Sequence, residues 1–372
     1  MDYVIIIMVK SMKRILSFIL SGIIVLCGCD ISNIDNVELA DETESIVTFV
    51  AVGDNLIHDS VYYSVQSGND YDFKPIYAKV KPFISQFDLK FVNQETILGG
   101  SELGLSSYPC FNSPFEVGDA LLDTGFNLIS VANNHTLDRG EEAVRNAVEF
   151  WSRHGIVYSG AEISENKRHI KQFFIYDIRF AFVAYTYGTN GIAHPDDKYY
   201  LANLYDSEKA AADIQSVRSK TDFIIVSMHW GEEYKNYPNE TQKKQASELA
   251  DLGVDLIIGH HPHVIQPIEF ITNKAGHQTM VIYSLGNFLS GQIGIDRLIG
   301  MAVSIDIKKQ GSKVSIENPQ AQILYHYRDY ENRSYHVIPF IDIPDDLEGD
   351  YEKHFNNKKK LIRYYNKEIE VT

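Results

Sequence analysis

The chain has 372 residues, 50 Asp and Glu against 34 Lys and Arg, and a formal net charge of −16. That length allows one large or two modest domains with a real core. The acidic balance excludes a nucleic-acid binder, because counterion release needs clustered Lys and Arg. Any anionic substrate must be met by metal ions or by a few placed cations.

The first residues read as an address. Lys10, Lys13 and Arg14 lead into the apolar run 15–26, which ends in Leu26-Cys27-Gly28-Cys29. A charged n-region, a short h-region and small residues at the cut define a secretory signal. The run is too short for a comfortable membrane span. Its ending resembles a bacterial lipobox with Cys29 as the lipidated first residue; the competing reading is an uncleaved N-terminal anchor. Met12-Lys13-Arg14 by itself opens a complete signal. Residues 30–44 form a polar, acidic tether. The protein is therefore expected to be exported and held to the membrane on the extracytoplasmic side. Cys110 is then the one thiol of the mature domain, so no internal disulfide is expected. Within Tyr108-Pro109-Cys110-Phe111 it reads as a packed residue.

From 46 onward, β-like apolar runs alternate with helical patterns. Run 46–52 leads into Gly53-Asp54, 77–87 is helical, and 89–92 leads into Asn93-Gln94-Glu95. Residues 115–122 are helical, and 128–132 leads into Asn133-Asn134-His135. In 141–154, Ala143, Ala147, Phe150 and Trp151 recur at helical spacing. Residues 173–185 read as a hairpin around Asp177 and 208–217 as a helix, and 223–228 leads into His229-Trp230-Gly231. A helix over 242–252 is followed by run 254–258, which leads into Gly259-His260-His261-Pro262-His263. Run 280–284 leads into Leu285-Gly286-Asn287-Phe288.

This alternation is α/β. One polar cluster after a strand is only a turn. A cluster after almost every strand points to side chains converging at one sheet edge. Beyond about 297 the texture turns to β: 300–307 and 313–316 flank Gln310-Gly311-Ser312 as a hairpin, 321–327 and 335–341 are further strands, and 351–365 is a charged helix. The organisation expected is a signal over 1–29, a tether over 30–44, a main domain over 45–296, and a small β-rich extension with a charged tail over 297–372.

Neutral imidazole is the commonest protein ligand for transition metals. A two-metal hydrolytic site needs hard oxygen ligands, imidazoles and a bridging group. The chain offers Asp54 and His58, Glu95, Asn134 and His135, His229, His261 and His263 in that order. His135 is left free to protonate a leaving group. There is no Walker loop, no Gly-x-Gly-x-x-Gly and no Ser nucleophile elbow, which argues against nucleotide-fuelled ligation.

The ordered series Gly53-Asp54-Asn55-Leu56-Ile57-His58, Asn93-Gln94-Glu95, Ala132-Asn133-Asn134-His135-Thr136-Leu137-Asp138, His229-Trp230-Gly231, Gly259-His260-His261-Pro262-His263-Val264-Ile265-Gln266 and Ser284-Leu285-Gly286-Asn287-Phe288 resembles the motifs of the CapA family. These are the poly-γ-glutamate capsule biosynthesis proteins, and the similarity covers about residues 46–295. The family is related to calcineurin-like metallophosphoesterases. The resemblance therefore implies a four-layer α/β/β/α sandwich of metallophosphatase type with one or two divalent ions (Mn, Fe or Zn).

Carried over, Asp54 matches the first-strand metal ligand. The usual Asp-x-His is broken by Leu56, and His58 stands two residues later. Glu95 replaces a bridging Asp. Asn134 and His135 match the Asn-His pair as metal ligand and catalytic acid, His229 the isolated ligand, and His261 and His263 the His-x-His pair. His260 is expected behind the ligands. Asn133 reads either as a left-handed turn residue or as a group behind the ligands or at the substrate, Asn287 as a wall or substrate contact, and Trp230 as core. Arg139 is the best placed of Lys74, Lys81, Arg139 and Arg145 for an anionic substrate.

Together these residues and the resemblance imply a lipid-anchored extracytoplasmic protein of capsule biosynthesis with hydrolytic chemistry. The partners implied are an anionic polymer or phosphoester, the membrane through its anchor, and membrane-bound capsule synthase subunits. Two alternatives stand beside it: a non-catalytic polymer-binding or export subunit, and a phosphodiesterase of an unrelated substrate.

Overall fold

The computed structural model describes residues 44–167, 169–329, 333–343 and 350–372. The expected lipidation residue Cys29 and nearly all of the acidic tether lie outside the described residues. The first strand, Glu44–Leu56, is buried without a break from Phe49 onward. Such a continuous run suits a strand covered on both faces. It pairs in parallel with Leu89–Gln94 and with Asn287–Ser290, and antiparallel with Ile299–Gln310. The sheet extends one way through Leu128–Ser130 to Val157–Ser159, and the other way through Lys313–Asp329 to Ser334–Pro339. A second sheet runs in the order Ile268–Thr272, Gln278–Ile282, Leu256–His260, Phe223–His229, Ile178–Thr186 and Lys171–Ile175.

Between the sheets lies one apolar layer, in which Phe49, Phe91 and Leu128 of the first meet Phe180, Phe182, Ile225 and Leu256 of the second. Helices Glu116–Thr124 and Gly140–Arg153 cover the outer face of the first sheet with Leu121, Val144, Phe150 and Trp151. Ser207–Arg218 and Glu240–Asp251 cover the second with Ile214, Val217, Ala246 and Leu249. The last two begin at built N-caps: Asp206 accepts from Lys209 N, and Asn239 and Gln242 form a reciprocal capping box. The architecture is α/β/β/α. The strands that carry Asp54, Gln94, His229 and His260 run parallel within each sheet and end at one edge, where such folds place their sites.

Three features depart from the sequence reading. The helix expected over 77–87 is instead two single turns, Lys74–Tyr77 and Lys81–Ile84, each with a Pro in its first turn. Pro82 lacks the N–H that a continuous helix would need. The two strands expected over 313–327 are one, Lys313–Asp329, which absorbs Asn318 at φ 51° through a register shift opposite Ser304 and Asp306. The segment after 297 is no appendage: Ile299–Gln310 pairs with the first strand from Glu44↔Gln310 to Ala51↔Val303. It supplies the antiparallel neighbour that this buried strand needs along its free edge. Among the described residues no helix is long and apolar enough to cross a membrane.

Candidate metal centre

Gly53 is where the first strand meets the chain that returns at Gly286. A Cβ on Gly53 would lie 1.8 Å from Gly286 O, and Asp54 N donates to that same oxygen at 2.9 Å. Only Gly allows this approach, and it fixes the strand end that carries Asp54. Asp54 is fully buried. Its Oδ1 accepts from His260 Nδ1 at 3.1 Å and Asn93 Nδ2 at 2.9 Å, and its Oδ2 from His263 Nδ1 at 3.1 Å. His261 and His263 hold φ of 95° and 58° in the tight turn after Leu256–His260. That backbone is costly for residues with a Cβ and persists where the surroundings over-determine it.

Glu95 lies at the middle of the cluster. Its Oε1 is 3.7 Å from His229 Nε2 and 3.6 Å from His263 Nε2, and Asn93 Nδ2 is 3.5 Å from Oε2. Two overlapping donor sets result, Asp54–Glu95–His229 and Glu95–His261–His263, each with ligand atoms within 4.8 Å of one another. Glu95 belongs to both. Asn134 Oδ1 joins them by accepting from His229 Nε2 at 2.8 Å.

The residues fit a cation. Glu95 Oε1, His229 Nδ1, His260 Nε2 and His261 Nδ1 are buried with no hydrogen-bond partner, an arrangement that is expensive unless something else binds there. The electrostatics agree. Burial, and then the charge of Asp54, push Glu95 well above the usual carboxylate range. Burial works the same way on Asp54, but hydrogen bonds from His260 and His263 outweigh it and hold Asp54 well below that range. Burial, and then neighbouring imidazoles, push His229 well down and His261 down to about 3, leaving both as neutral donors. His263 resists its own burial and rises to about 9 through Glu95 and Asp54. The raised values of Glu95 and His263 both favour their protonated forms, which offset the buried negative charge that a cation would otherwise neutralise.

His135 stands beside this cluster. Its Nδ1 is 2.7 Å from Asp138 Oδ2, its Nε2 is 3.3 Å from Asn134 Nδ2, and its ring meets Phe111 edge-on at 4.7 Å. With Nδ1–H committed to Asp138, Nε2 is the atom that can exchange a proton.

The other expected residues take different places. His58 belongs to neither donor set; its Nδ1 accepts from Gly291 N at 3.1 Å and its ring packs edge-on against Phe111. His260 supports Asp54 from behind and stacks on Phe91 at 5.4 Å. Of the two readings of Asn133 the left-handed turn fails, since its φ is not positive; it stands behind the site, where its Oδ1 accepts from His135 N and its Nδ2 donates to Gln94 O, which ties two strand ends together. Asn287 Oδ1 lies 3.0 Å from His263 Nδ1 and orients that ring. Trp230 is core, donating to Tyr283 O.

Arg139 binds Leu103 O, Gly104 O and Ser106 Oγ, so its guanidinium clamps a loop and is not free for substrate. Lys81 and Arg145 are paired with Asp123 and Glu141. Cys110 is exposed rather than packed, because its loop runs over the surface at the site mouth.

Several residues escaped the sequence reading. Asn93 and Asp138 sit inside the quoted motifs, and the i,i+3 spacing of His135 and Asp138 was the available signal. Asn190, whose Oδ1 accepts from Asn134 Nδ2 at 3.1 Å, and Tyr187, 4.8 Å from the His261 ring, had none.

The class so defined is a two-sheet α/β sandwich of metallophosphatase type whose strand ends bring together buried carboxylates and imidazoles that could hold a metal ion. The profile described as "Bacterial capsule synthesis protein PGA_cap" matches residues 48–292, and the chain belongs to that family. It is 29% identical to the PGA biosynthesis protein CapA of Bacillus subtilis over 204 residues, covering 52% of this chain and 50% of that one. It is 30% identical to the capsule biosynthesis protein CapA of Bacillus anthracis over 184 residues, covering 48% and 43%. The chain thus spans about half the length of these relatives or less. Among solved structures, NAD nucleotidase of Haemophilus influenzae aligns with TM-score 0.48 at 12% identity, covering 89% of this chain and 64% of that one. The calcineurin-like phosphoesterase YfkN of Bacillus subtilis aligns with TM-score 0.42 at 13% identity, covering 76% and 91%.

Proposed function

We propose that this capsule-synthesis family member is a metal-dependent hydrolase of an anionic surface polymer, with poly-γ-glutamate as the first candidate, held on the extracytoplasmic side by a lipid on Cys29. The observation that carries the reading is the convergence of Asp54, Glu95, His229, His261 and His263, with unpartnered donor atoms, beside the His135–Asp138 pair. Asp54, Glu95, Asn134 and the three imidazoles would hold one or two divalent cations of the Mn, Fe or Zn type. A cation so held polarises the scissile group and lowers the pKa of water.

The protein's own groups do the rest. Asn93 fixes both carboxylates, and Asn287 and Asp54 fix the His263 ring. Asp138 holds His135 so that Nε2 faces the leaving group. As the bond to that group breaks, its oxygen or nitrogen takes the proton from Nε2, while water supplies the oxygen that joins the other fragment. Phe111 packs against His135 and limits water there.

His58, held by Gly291 outside both donor sets, favours a second reading: a single-cation or non-catalytic subunit that binds polymer or a membrane-bound synthase. The test is metal analysis of purified protein, together with chain shortening of poly-γ-glutamate and cleavage of bis(p-nitrophenyl) phosphate. Bound metal with polymer shortening is expected. Diester cleavage alone moves the reading to a phosphodiesterase, and neither metal nor cleavage moves it to the subunit. Localisation is tested separately: Cys29→Ala should release the protein from the membrane fraction, and an unmodified N-terminus elsewhere by mass spectrometry would exclude the anchor.

A further inference from the structure

A chain with a net charge of −16 must meet an anionic substrate with a few placed cations, and several basic side chains around the candidate centre are already taken. Arg139 clamps the 103–106 loop, and Arg145 and Lys198 both pair with Glu141. Arg297 differs. Its guanidinium carbon lies 4.4 Å from the centre of the Tyr234 ring. Among the described residues this guanidinium donates to no oxygen and has no carboxylate, Glu233 included, within ion-pair distance. Asp296, its chain neighbour, is held by Lys358 at 2.9 Å. A guanidinium over an aromatic ring is attracted by the ring face and keeps the N–H groups of its edge for a planar anion.

Both residues are fixed to the candidate ligands. Tyr234 N donates to Pro262 O at 2.8 Å, and Pro262 stands between His261 and His263. Tyr234 holds φ 64°, an uncommon conformation for an aromatic residue, and its ring centre is 6.3 Å from that of His263. Arg297 is tied in from another side. Its carbonyl accepts from Asn287 Nδ2 at 3.0 Å, and Asn287 Oδ1 lies 3.0 Å from His263 Nδ1. The guanidinium is thus one aromatic ring removed from His263, whereas His135 adjoins the cluster through Asn134 and His229.

Resting on the hydrolase reading, we propose that Arg297, held over Tyr234, receives a carboxylate of the substrate. That carboxylate belongs to the fragment that stays at the ligand cluster while His135 protonates the leaving amine. In internal γ-linked polyglutamate this fragment ends in the residue whose γ-carbonyl is attacked, and that residue carries an α-carboxylate at the far end of its carbon chain. A carboxylate matches the guanidinium fork through paired N–H···O bonds. A Lys there supplies charge without the fork, and a neutral amide supplies neither. Arg297 therefore selects chains with a carboxylate on the acyl side of the breaking amide over neutral ones.

Phenylglyoxal, which modifies accessible guanidinium groups, tests this without turnover. The full-length protein is treated with the reagent alone, with tetra-γ-glutamate, or with the same oligomer carrying α-carboxamides, and adducts are followed by peptide mass spectrometry. Arg297 should react faster than Arg139 and faster than Arg218, which is bound to Gly253 O and Asp255. Millimolar tetra-γ-glutamate should slow the Arg297 reaction several-fold, and the carboxamide should not. By titration calorimetry, Arg297→Gln should weaken tetra-γ-glutamate binding about tenfold or more, the range of a charge-assisted contact, and Arg297→Lys should weaken it less. Lys235→Gln removes the same charge from the exposed residue after Tyr234 and should leave binding nearly unchanged. No protection of Arg297, equal protection by the carboxamide, or equal weakening in Lys235→Gln would overturn the subsite. Polymer shortening without protection refutes the subsite alone. Protection without shortening refutes the hydrolase reading and supports Arg297 as the carboxylate contact of a polymer-binding subunit.

Discussion

His135 Nδ1 lies 2.7 Å from Asp138 Oδ2, and Asp138 has no side-chain exposure. The two residues are three apart in a turn that caps one strand end, so the pair is locally built and does not depend on docking of the second sheet. The candidate ligand cluster does: it joins Asp54 and Glu95 of the first sheet to His229, His261 and His263 of the second.

This separation sets the first expected outcome. His135→Ala should lower hydrolytic turnover by ~10²–10⁴-fold, the usual loss when general-acid help is removed, with metal content by elemental analysis nearly unchanged. His261→Ala should reduce both. Equal metal loss in the two variants would place His135 among the ligands.

Removing metal should cost stability. Asp54 and Glu95 are 0% exposed, so a chelated protein keeps two buried carboxylates with only protons and imidazoles to balance them. A cation at a hundred times its dissociation constant contributes about 2.7 kcal/mol. Thermal unfolding should therefore shift down by several degrees with EDTA and recover with Mn or Zn. In Asp54→Asn the recovery should be small.

Acid should destabilise the fold through His326. This buried imidazole, 3.2 Å from Ser290 Oγ, is pushed down to about 3 by burial and then by His58. Its folded value is below the unfolded one of 6.5, so the unfolded chain binds the extra proton. The stability is fully present above pH 6.5 and is lost as pH falls from there toward 3. Between pH 7 and pH 5 the single group costs about 2 kcal/mol. Urea unfolding at both pH values should show His326→Gln losing less stability than the wild type, and an equal loss would assign the effect elsewhere.

Phe91 couples the core to the site. It is fully buried between the sheets, edge-on to Phe182 at 6.0 Å and stacked on His260 at 5.4 Å. Phe91→Ala should cost about 3–5 kcal/mol in denaturant unfolding. It should also weaken metal binding, because His260 would lose the surface that holds it against Asp54. Phe91→Leu should restore most of the stability and only part of the metal affinity.

The polar groups that end the strands, the alternation of strand and helix, and the apolar faces of helices such as Gly140–Arg153 could all be read along the chain. Each is set by local spacing: period 2 or 3.6 for the faces, and Gly or Asn where the chain must turn. The identity of the donor residues was legible for the same reason, since the groups concerned stand next to one another in short runs.

Tertiary structure decided the rest. Whether His58 joins the ligands depends on Gly291, 233 residues away, whose backbone N–H takes up its Nδ1. Whether Arg139 is free depends on a loop some 35 residues earlier that takes up both ends of its guanidinium fork. The strands after 297 complete the first sheet because its opening strand had an unpaired edge, a demand that no window of local sequence displays. Local pattern records what a residue is able to bind. Which partner it meets is settled only when distant segments pack, because burial makes every unmatched polar group costly and leaves one arrangement that matches them.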